Sequence, residues 1–293
     1  LGQVVTSFTH SDLEEYLRMR VAATSETTEA KERRTLMQMF RWAVAQGYLS
    51  VSPAAALPAL KSEGERPPFR TLAEIVAIID RGGISPEEEL ALWDCIFLSP
   101  LEISDLLQLV RKTSQDERSF ILHTVAAYTG MRRGEVIRLP WSDVDLEGQL
   151  IRARSRKQSR RKRETIRTID MHPELRTILM SWKSAHPRGQ FVLPGSNHGG
   201  TLEANHANRM FWQPLRGTEW CLNSAKNWFK IGFHTYRHSF VSNLAAAGVD
   251  QRIIDEFVGH CTDDMRRRYR HLFPKCRRSA IESLRFGQGA TKE

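Results

Sequence analysis

The sequence predicts a mainly α-helical chain carrying one small antiparallel β-sheet, an α+β arrangement in two parts. Three observations predict it. Apolar residues recur at helical spacing over most of the chain. Two alternating stretches, Leu150-Ile-Arg-Ala-Arg and Thr165-Ile-Arg-Thr-Ile-Asp-Met, read as paired strands around a basic segment. A polar, breaker-rich run, Lys61-Ser-Glu-Gly-Glu-Arg-Pro67-Pro68, separates a short helical region from the rest.

The expected organisation is a helical domain over residues 1–62, a linker over 63–70 and a larger domain over 71–293. In the first domain, Ser11-Asp-Leu-Glu14 has the form of a capping box, and Leu13, Tyr16, Leu17 and Val21 follow on one helical face. A second helix is expected from near Thr28, with Leu36, Met39, Phe40, Ala43 and Val44 as its apolar set and Gly47 as its stop. Beyond the linker, Thr71-Leu-Ala-Glu74 opens a helix, and residues 81–118 add further helices from Ser85-Pro86 onward. Phe120 to Tyr128 is an apolar helical run that Thr129-Gly130 ends, which puts Arg132 at a turn with Glu135 three residues on, placed to hold it. Near the C-terminus, His234 and Arg237 share one side of a helix. Phe240, Val241 and Leu244 continue that helix inward, Gly248 ends it, and Ile253, Ile254, Phe257 and Val258 form the next apolar stripe before Gly259-His260. Among the tyrosines, Tyr16 and Tyr128 fit core faces, whereas Tyr269 lies in the basic stretch Met265-Arg-Arg-Arg-Tyr-Arg-His-Leu.

Charge points to the class of partner. A formal net charge of +9 favours a polyanion, although charge alone fits RNA or an anionic lipid surface as well as DNA. Cys95, Cys221, Cys261 and Cys276 are scattered with no Cys-x-x-Cys pair, which suggests neither a zinc site nor a disulfide framework. His234 and His238 are four apart, but no Glu follows the first histidine as a His-Glu-x-x-His metal site requires. Gly195-Ser-Asn-His-Gly-Gly200 lacks the Lys-Ser or Lys-Thr of a phosphate-cradling loop, so neither ATP nor a metal is expected as cofactor. No charged-then-apolar leader opens the chain and no apolar run approaches the ~20 residues of a membrane span, so a soluble, cytoplasmic protein is expected.

The chemistry lies in a constellation. Thr129-Gly130-Met131-Arg132-Arg133-Gly134-Glu135 supplies one arginine, and His234-Thr-Tyr-Arg237-His238 supplies another with two histidines. Gly259-His260 follows, and Tyr269 comes nine residues after His260. An arbitrary arginine is a solvated surface group. Two arginines to hold a phosphate, histidines to carry protons and a phenol as nucleophile are together what metal-free phosphodiester attack needs.

On these residues the chain resembles the tyrosine recombinases, also called the phage integrase family. The resemblance covers most of the chain, and the ordered set of motifs at the right spacings is far more specific than any single one. It implies a helical core-binding domain ahead of the catalytic domain, ending around Arg41-Trp42-Ala43-Val44 through Ser52-Pro53-Ala54. Because the chain starts at Leu1 and the family's N-terminal domain usually opens with a further helix, sequence ahead of Leu1 is expected.

The resemblance also implies roles. Tyr269 attacks the scissile phosphate and forms a 3′-phosphotyrosyl link, Arg132 and Arg237 clamp the nonbridging oxygens, His234 carries the nucleophile's proton and His260 hydrogen-bonds the phosphate. The family's catalytic lysine sits in the basic hairpin. Distance from the first strand favours Lys157, while distance to Arg167 in the second strand allows Lys162; Lys157 is the choice. Arg154, Arg156, Arg160, Arg161, Lys162 and Arg163 are expected along the DNA phosphates, with Glu135 and His238 in support. The expected partner is double-stranded DNA at recombination sites, with two protomers per site, four in the synapse and an accessory DNA-bending or directionality protein. A tail over Cys276 to Phe286 is expected to dock on a neighbouring protomer or on its own domain. Two other readings stay open: a type IB topoisomerase with the same chemistry, and a noncatalytic DNA-binding protein on the same fold.

Overall fold

The computed structural model describes residues 5–24, 26–58, 67–155, 165–185, 189–195, 200–223, 228–259, 262–272 and 281–282. The chain divides into two compact units, Leu1–Gly64 and Glu65–Glu293.

The first unit is built on two helices, α1 (His10–Ala23) and α2 (Glu26–Ala45). The cap of α1 is Thr9 rather than Ser11: its hydroxyl accepts the Asp12 backbone N–H at 3.3 Å and Asp12 returns a bond to the Thr9 N–H at 2.7 Å. Threonine and aspartate satisfy the same orphan donors two residues earlier than Ser11-x-x-Glu14 would. Leu13, Leu17, Phe40, Ala54 and Leu57 form the core. Tyr16, Val21 and Met39, expected on buried faces, are exposed. One neighbouring helix covers a stripe one residue wide at i, i+4 spacing, so Leu13 and Leu17 exhaust the buried face of α1. Tyr16 uses its exposure to donate a hydrogen bond to Glu32, which Arg20 also grips with two bonds of 2.7 Å.

In the second unit, α3 (Leu72–Asp80), α4 (Pro86–Trp93) and α5 (Pro100–Thr113) each start on a capping box, at Thr71 with Glu74, Ser85 with Glu88 and Ser99 with Glu102. The α6 helix (Glu117–Thr129) is buried on nearly every side and packs against α5 and the later helices α8 (Pro173–Ala185), α9 (Ala204–Trp212) and α10 (Phe233–Ala246), which makes it the axis of the unit. After α7 (Arg133–Val136), strands β1 (Val144–Asp145), β2 (Leu150–Ser155) and β3 (Thr165–Asp170) form an antiparallel sheet in that order. The β2–β3 register runs from Leu150 opposite Asp170 to Ser155 opposite Thr165. Then come α8 (Pro173–Ala185), α9 (Ala204–Trp212), a second small antiparallel pair of β4 (Cys221–Asn223) and β5 (Trp228–Phe229), and the C-terminal helices α10 (Phe233–Ala246), α11 (Gln251–Val258) and α12 (Asp263–Tyr269). The result is the mainly helical fold with a small antiparallel sheet that the periodicities predict.

One expectation needs correction here, and Tyr128 packs against the core as expected but only at its edge. Ile253 is exposed although it belongs to the apolar stripe of α11; Ile254 and Val258, one turn apart, take the buried side. Tyr128 is half-buried, and its hydroxyl donates to Glu174. A phenol that keeps a polar partner at its tip stays at the edge of a core. Among the described residues no helix is long and apolar enough to cross a membrane.

Candidate active site

The site begins where α6 stops. Gly130 has φ +58°, and a Cβ there would lie 2.7 Å from the Phe240 ring, so both backbone and packing require glycine. The chain turns, Met131 is buried, and Arg132 emerges as the N-cap of α7 with a partly exposed side chain. Glu135, 4% exposed, holds this turn from inside. Its Oε2 accepts the Arg132 backbone N–H at 2.8 Å, and its Oε1 lies 3.3 Å from Arg132 Nη1. Burial pushes the Glu135 carboxyl up, but the hydrogen bonds and charge of Arg167, with those of Arg132, outweigh it and hold the group below the ordinary carboxylate range.

The α10 helix brings the second arginine. Arg237 is buried, donating from Nη1 to the Gly130 carbonyl at 2.9 Å and from Nη2 to the Val258 carbonyl at 2.6 Å. One guanidinium thus joins the Thr-Gly turn to the end of α11, where Gly259 (φ +75°) redirects the chain. Polar contacts deep in the unit fix α10. Ser239 Oγ accepts the Leu98 N–H at 2.8 Å, Asn243 donates to the Leu98 carbonyl at 2.9 Å, and the Tyr236 hydroxyl lies 2.7 Å from His123 Nδ1. His234, one turn ahead of Arg237, is exposed. Partial desolvation and the charges of Arg237, Arg132 and Arg133 lower its pKa, with Asp94 opposing, so its neutral form is favoured.

Tyr269 ends α12 and is 1% exposed. Its ring stacks on Phe69, with centroids 4.7 Å apart, and its hydroxyl lies 3.1 Å from His238 Nδ1. The His238 ring rests on Phe69 as well, at 4.2 Å. Arg268 covers Phe69 with its guanidinium 3.8 Å from the ring centroid and ties down to the Pro67 carbonyl at 2.8 Å. Burial, then the charges of His234, Arg268 and Arg237, drive the His238 pKa down to about 3.

An open cleft of about 1000 Å³ lies beside these elements, lined by Arg132, Ser155, Thr165, Arg167, Gly259 and Arg266 among others. Each of the four arginines that line it among the described residues has a carboxylate partner: Arg132 at 3.3 Å and Arg167 at 2.7 Å from Glu135, Arg252 at 2.9 Å from Asp250, and Arg266 at 2.8 Å from Asp255. Residues 97–275, which include every one of these cleft-lining residues, match the profile of the Phage integrase family.

The chain belongs to the phage integrase family. It is 23% identical over 254 residues to the tyrosine recombinase XerC of Thermodesulfovibrio yellowstonii, covering 85% of this chain and 72% of that relative. A XerC-like tyrosine recombinase of Caldanaerobacter subterraneus is 24% identical over 206 residues, 61% of this chain and 52% of that relative, so the match spans about half of that protein's length. In structure, a fragment of lambda integrase (residues 75–356), solved as a dimer bound to a COC′ core site, superposes with a TM-score of 0.60 at 16% identity. That superposition covers 100% of this chain and 87% of the integrase chain, and it shows the shared fold.

Measured against the integrase motifs, the structure bonds Glu135 to Arg132, joins Arg237 to the carbonyl of Gly130 two residues ahead of Arg132, and sets Tyr269 against His238, with His234 one turn away on the same helix. Lys157, Arg156, Arg160, Arg161, Lys162, Arg163 and His260 lie outside the described residues. Arg154 is described, and its guanidinium grips the buried Asp143 through two bonds of 2.5 and 2.8 Å, which ties β2 to the turn just ahead of β1, beside the DNA role expected for it. Sequence reasoning passed over Arg167, Phe69 and Arg268. For Arg167 a signal existed: strand alternation puts it on the same face as the buried Ile169, and an inward-facing arginine needs a carboxylate, which Glu135 supplies. For Phe69 and Arg268 there was none, since their partners lie up to 201 residues away.

Proposed function

We propose that this chain is a site-specific DNA recombinase that cuts and rejoins strands through a 3′-phosphotyrosyl intermediate. One observation carries the reading: Arg237 binds the carbonyls of Gly130 and Val258, so a single buried cation draws together the arginine turn, the histidine helix and the Gly259 turn in a member of this family. Arg132 and Arg237 stabilise charge developing on the nonbridging oxygens, where loss of one donor costs on the order of 10²–10³ in rate. The Tyr269 oxygen forms a bond to phosphorus as the bond to the 5′ oxygen breaks. The phenol's proton passes to His234, Lys157 protonates the departing 5′ oxygen, and His260 hydrogen-bonds the phosphate. The bond energy stays in the phosphotyrosine, and attack by a 5′ hydroxyl of a second duplex reverses the step and seals the strand.

The substrate is double-stranded DNA, engaged by two protomers at each site and four in the synapse. An accessory DNA-bending or directionality protein is a further partner of this assembly, and the protein works on DNA in the cytoplasm. The dimer in which the lambda integrase fragment was solved on its core site supports this assignment. Arg154, Arg156, Arg160, Arg161, Lys162 and Arg163 of the basic segment supply phosphate contacts that are independent of sequence.

The test is strand exchange between two duplexes carrying the DNA that flanks the protein's own gene. Recombinant joints at one position are the expected product. Relaxation of any supercoiled plasmid without joints would replace this reading with a topoisomerase, and binding without cleavage would replace it with a noncatalytic DNA-binding protein.

A further inference from the structure

Two arginines run side by side from the Arg132 turn to the end of α11. Arg237 spans Gly130 and Val258. Arg167, on β3 opposite Ala153, makes the second connection one residue away. Its Nη1 and Nη2 donate to the two oxygens of Glu135 at 3.0 and 2.7 Å, and its Nε donates to the Phe257 carbonyl at 2.6 Å. Its side chain also reaches within 3.5 Å of where a Cβ on Gly259 would stand. The carbonyls of Phe257 and Val258 belong to the last turn of α11, whose acceptors have no partner inside the helix and which favours positive charge.

Arg167 therefore touches three segments at once: the hairpin strand it belongs to, the Arg132 turn through Glu135, and the chain entering Gly259. Its side chain is 11% exposed and that of Glu135 3%, so water competes weakly for these bonds. Glu135 in turn bonds both the backbone and the guanidinium of Arg132.

We propose that Arg167 is a positioning residue for strand cleavage, one that sets Arg132 through Glu135 and the Gly259 turn through the Phe257 carbonyl. The inference rests on the recombinase reading above. It assigns Arg167 no contact with the reacting atoms. A lysine keeps the charge at this position but not the planar fork that satisfies both Glu135 oxygens and a carbonyl in a third direction.

The test compares wild type, Arg167→Lys and Arg167→Ala on a nicked duplex of the gene-flanking DNA. Duplex affinity, the rate of covalent adduct formation at saturating DNA and the thermal midpoint are read for each. Both variants are expected to bind DNA like wild type and to form adduct about 10- to 100-fold more slowly, as a misplaced catalytic group does. Arg167→Lys, with the charge retained, guards against a variant that simply unfolds. Because Arg167 acts through Arg132, adding Arg167→Lys to Arg132→Lys should slow the reaction far less than the product of the two single effects. Adduct formation at the wild-type rate, a loss that tracks only the unfolded fraction, or fully multiplicative losses would each overturn the inference. Wild type that forms no adduct would overturn the recombinase reading itself, and this inference with it.

Discussion

The hydroxyl of Tyr269 lies 3.1 Å from Nδ1 of His238 while its ring stacks on Phe69, leaving the phenol 1% exposed. A phosphodiester cannot reach an oxygen enclosed in that way. On the proposed mechanism, cleavage requires Tyr269 to leave the Phe69 stack, and the contacts that hold it there set how readily it does so.

Shortening Phe69 tests that enclosure. Phe69→Ala should cost about 3–5 kcal/mol of stability, the usual range for a buried phenylalanine, and should speed nitration of Tyr269 as located by mass spectrometry. Phe69→Leu keeps most of the volume and should speed nitration with a smaller loss. Unchanged nitration in both would mean that Phe69 does not guard the phenol.

Acid should destabilise the fold through histidines kept neutral. His123 is enclosed between Tyr236 and the Phe211 carbonyl, and burial lowers its pKa to about 3; His238 is lowered to about 3 for the same first reason. Above the unfolded-state value near 6.5 both states are neutral and nothing is lost. Between about 6.5 and 3 the unfolded chain takes up the protons and the native state does not, so stability falls as pH falls. Each histidine contributes up to about 1.4 kcal/mol per pH unit in that window. Urea unfolding of wild type and His123→Asn between pH 7.5 and 4.5 should show a shallower pH slope in the variant; equal slopes would refute the assignment.

Replacing Arg237 separates charge from geometry. Lysine at this position retains the cation but cannot reach the carbonyls of both Gly130 and Val258. Arg237→Lys should lower the cleavage rate at saturating DNA by about 10²–10³-fold with DNA affinity little changed. A variant that cleaves at the wild-type rate would show that the bridge is dispensable.

A single methyl group at Gly130 should disturb both the turn and the packing. Gly130→Ala meets the Phe240 ring at 2.7 Å, whereas Gly217, also at positive φ, has open space around it. Gly217→Ala should cost about 1–2 kcal/mol from backbone strain alone, and Gly130→Ala about 1–3 kcal/mol more from overpacking. Denaturant midpoints measure the difference, and equal losses at the two sites would remove the packing argument.

The candidate reacting groups stood out in the sequence because phosphodiester chemistry calls for particular residue types at short spacings: Gly130-x-Arg132, His234-x-x-Arg237 and a tyrosine nine residues beyond His260, which itself lies outside the described residues. Glu135 was legible too, because a helical turn places it beside Arg132. The supports were not. Phe69 and Tyr269 meet across 200 positions, and nothing local marks Phe69 as other than a core residue. His238 was read as a supporting residue, yet the structure makes it the partner of the phenol, a contact set by how α12 folds back on α10. In the small first unit the periodicity of α1 promised a wider buried face than a single partner helix covers, so Tyr16 and Val21 stayed outside.

The most direct test of the central claim is covalent capture on a nicked suicide duplex made from the DNA flanking the gene, comparing wild type with Tyr269→Phe. The account predicts a denaturant-resistant protein–DNA adduct whose peptide maps to Tyr269, lost in the phenylalanine variant although DNA binding persists. An adduct that survives Tyr269→Phe, or none from wild type that binds the duplex, would contradict it.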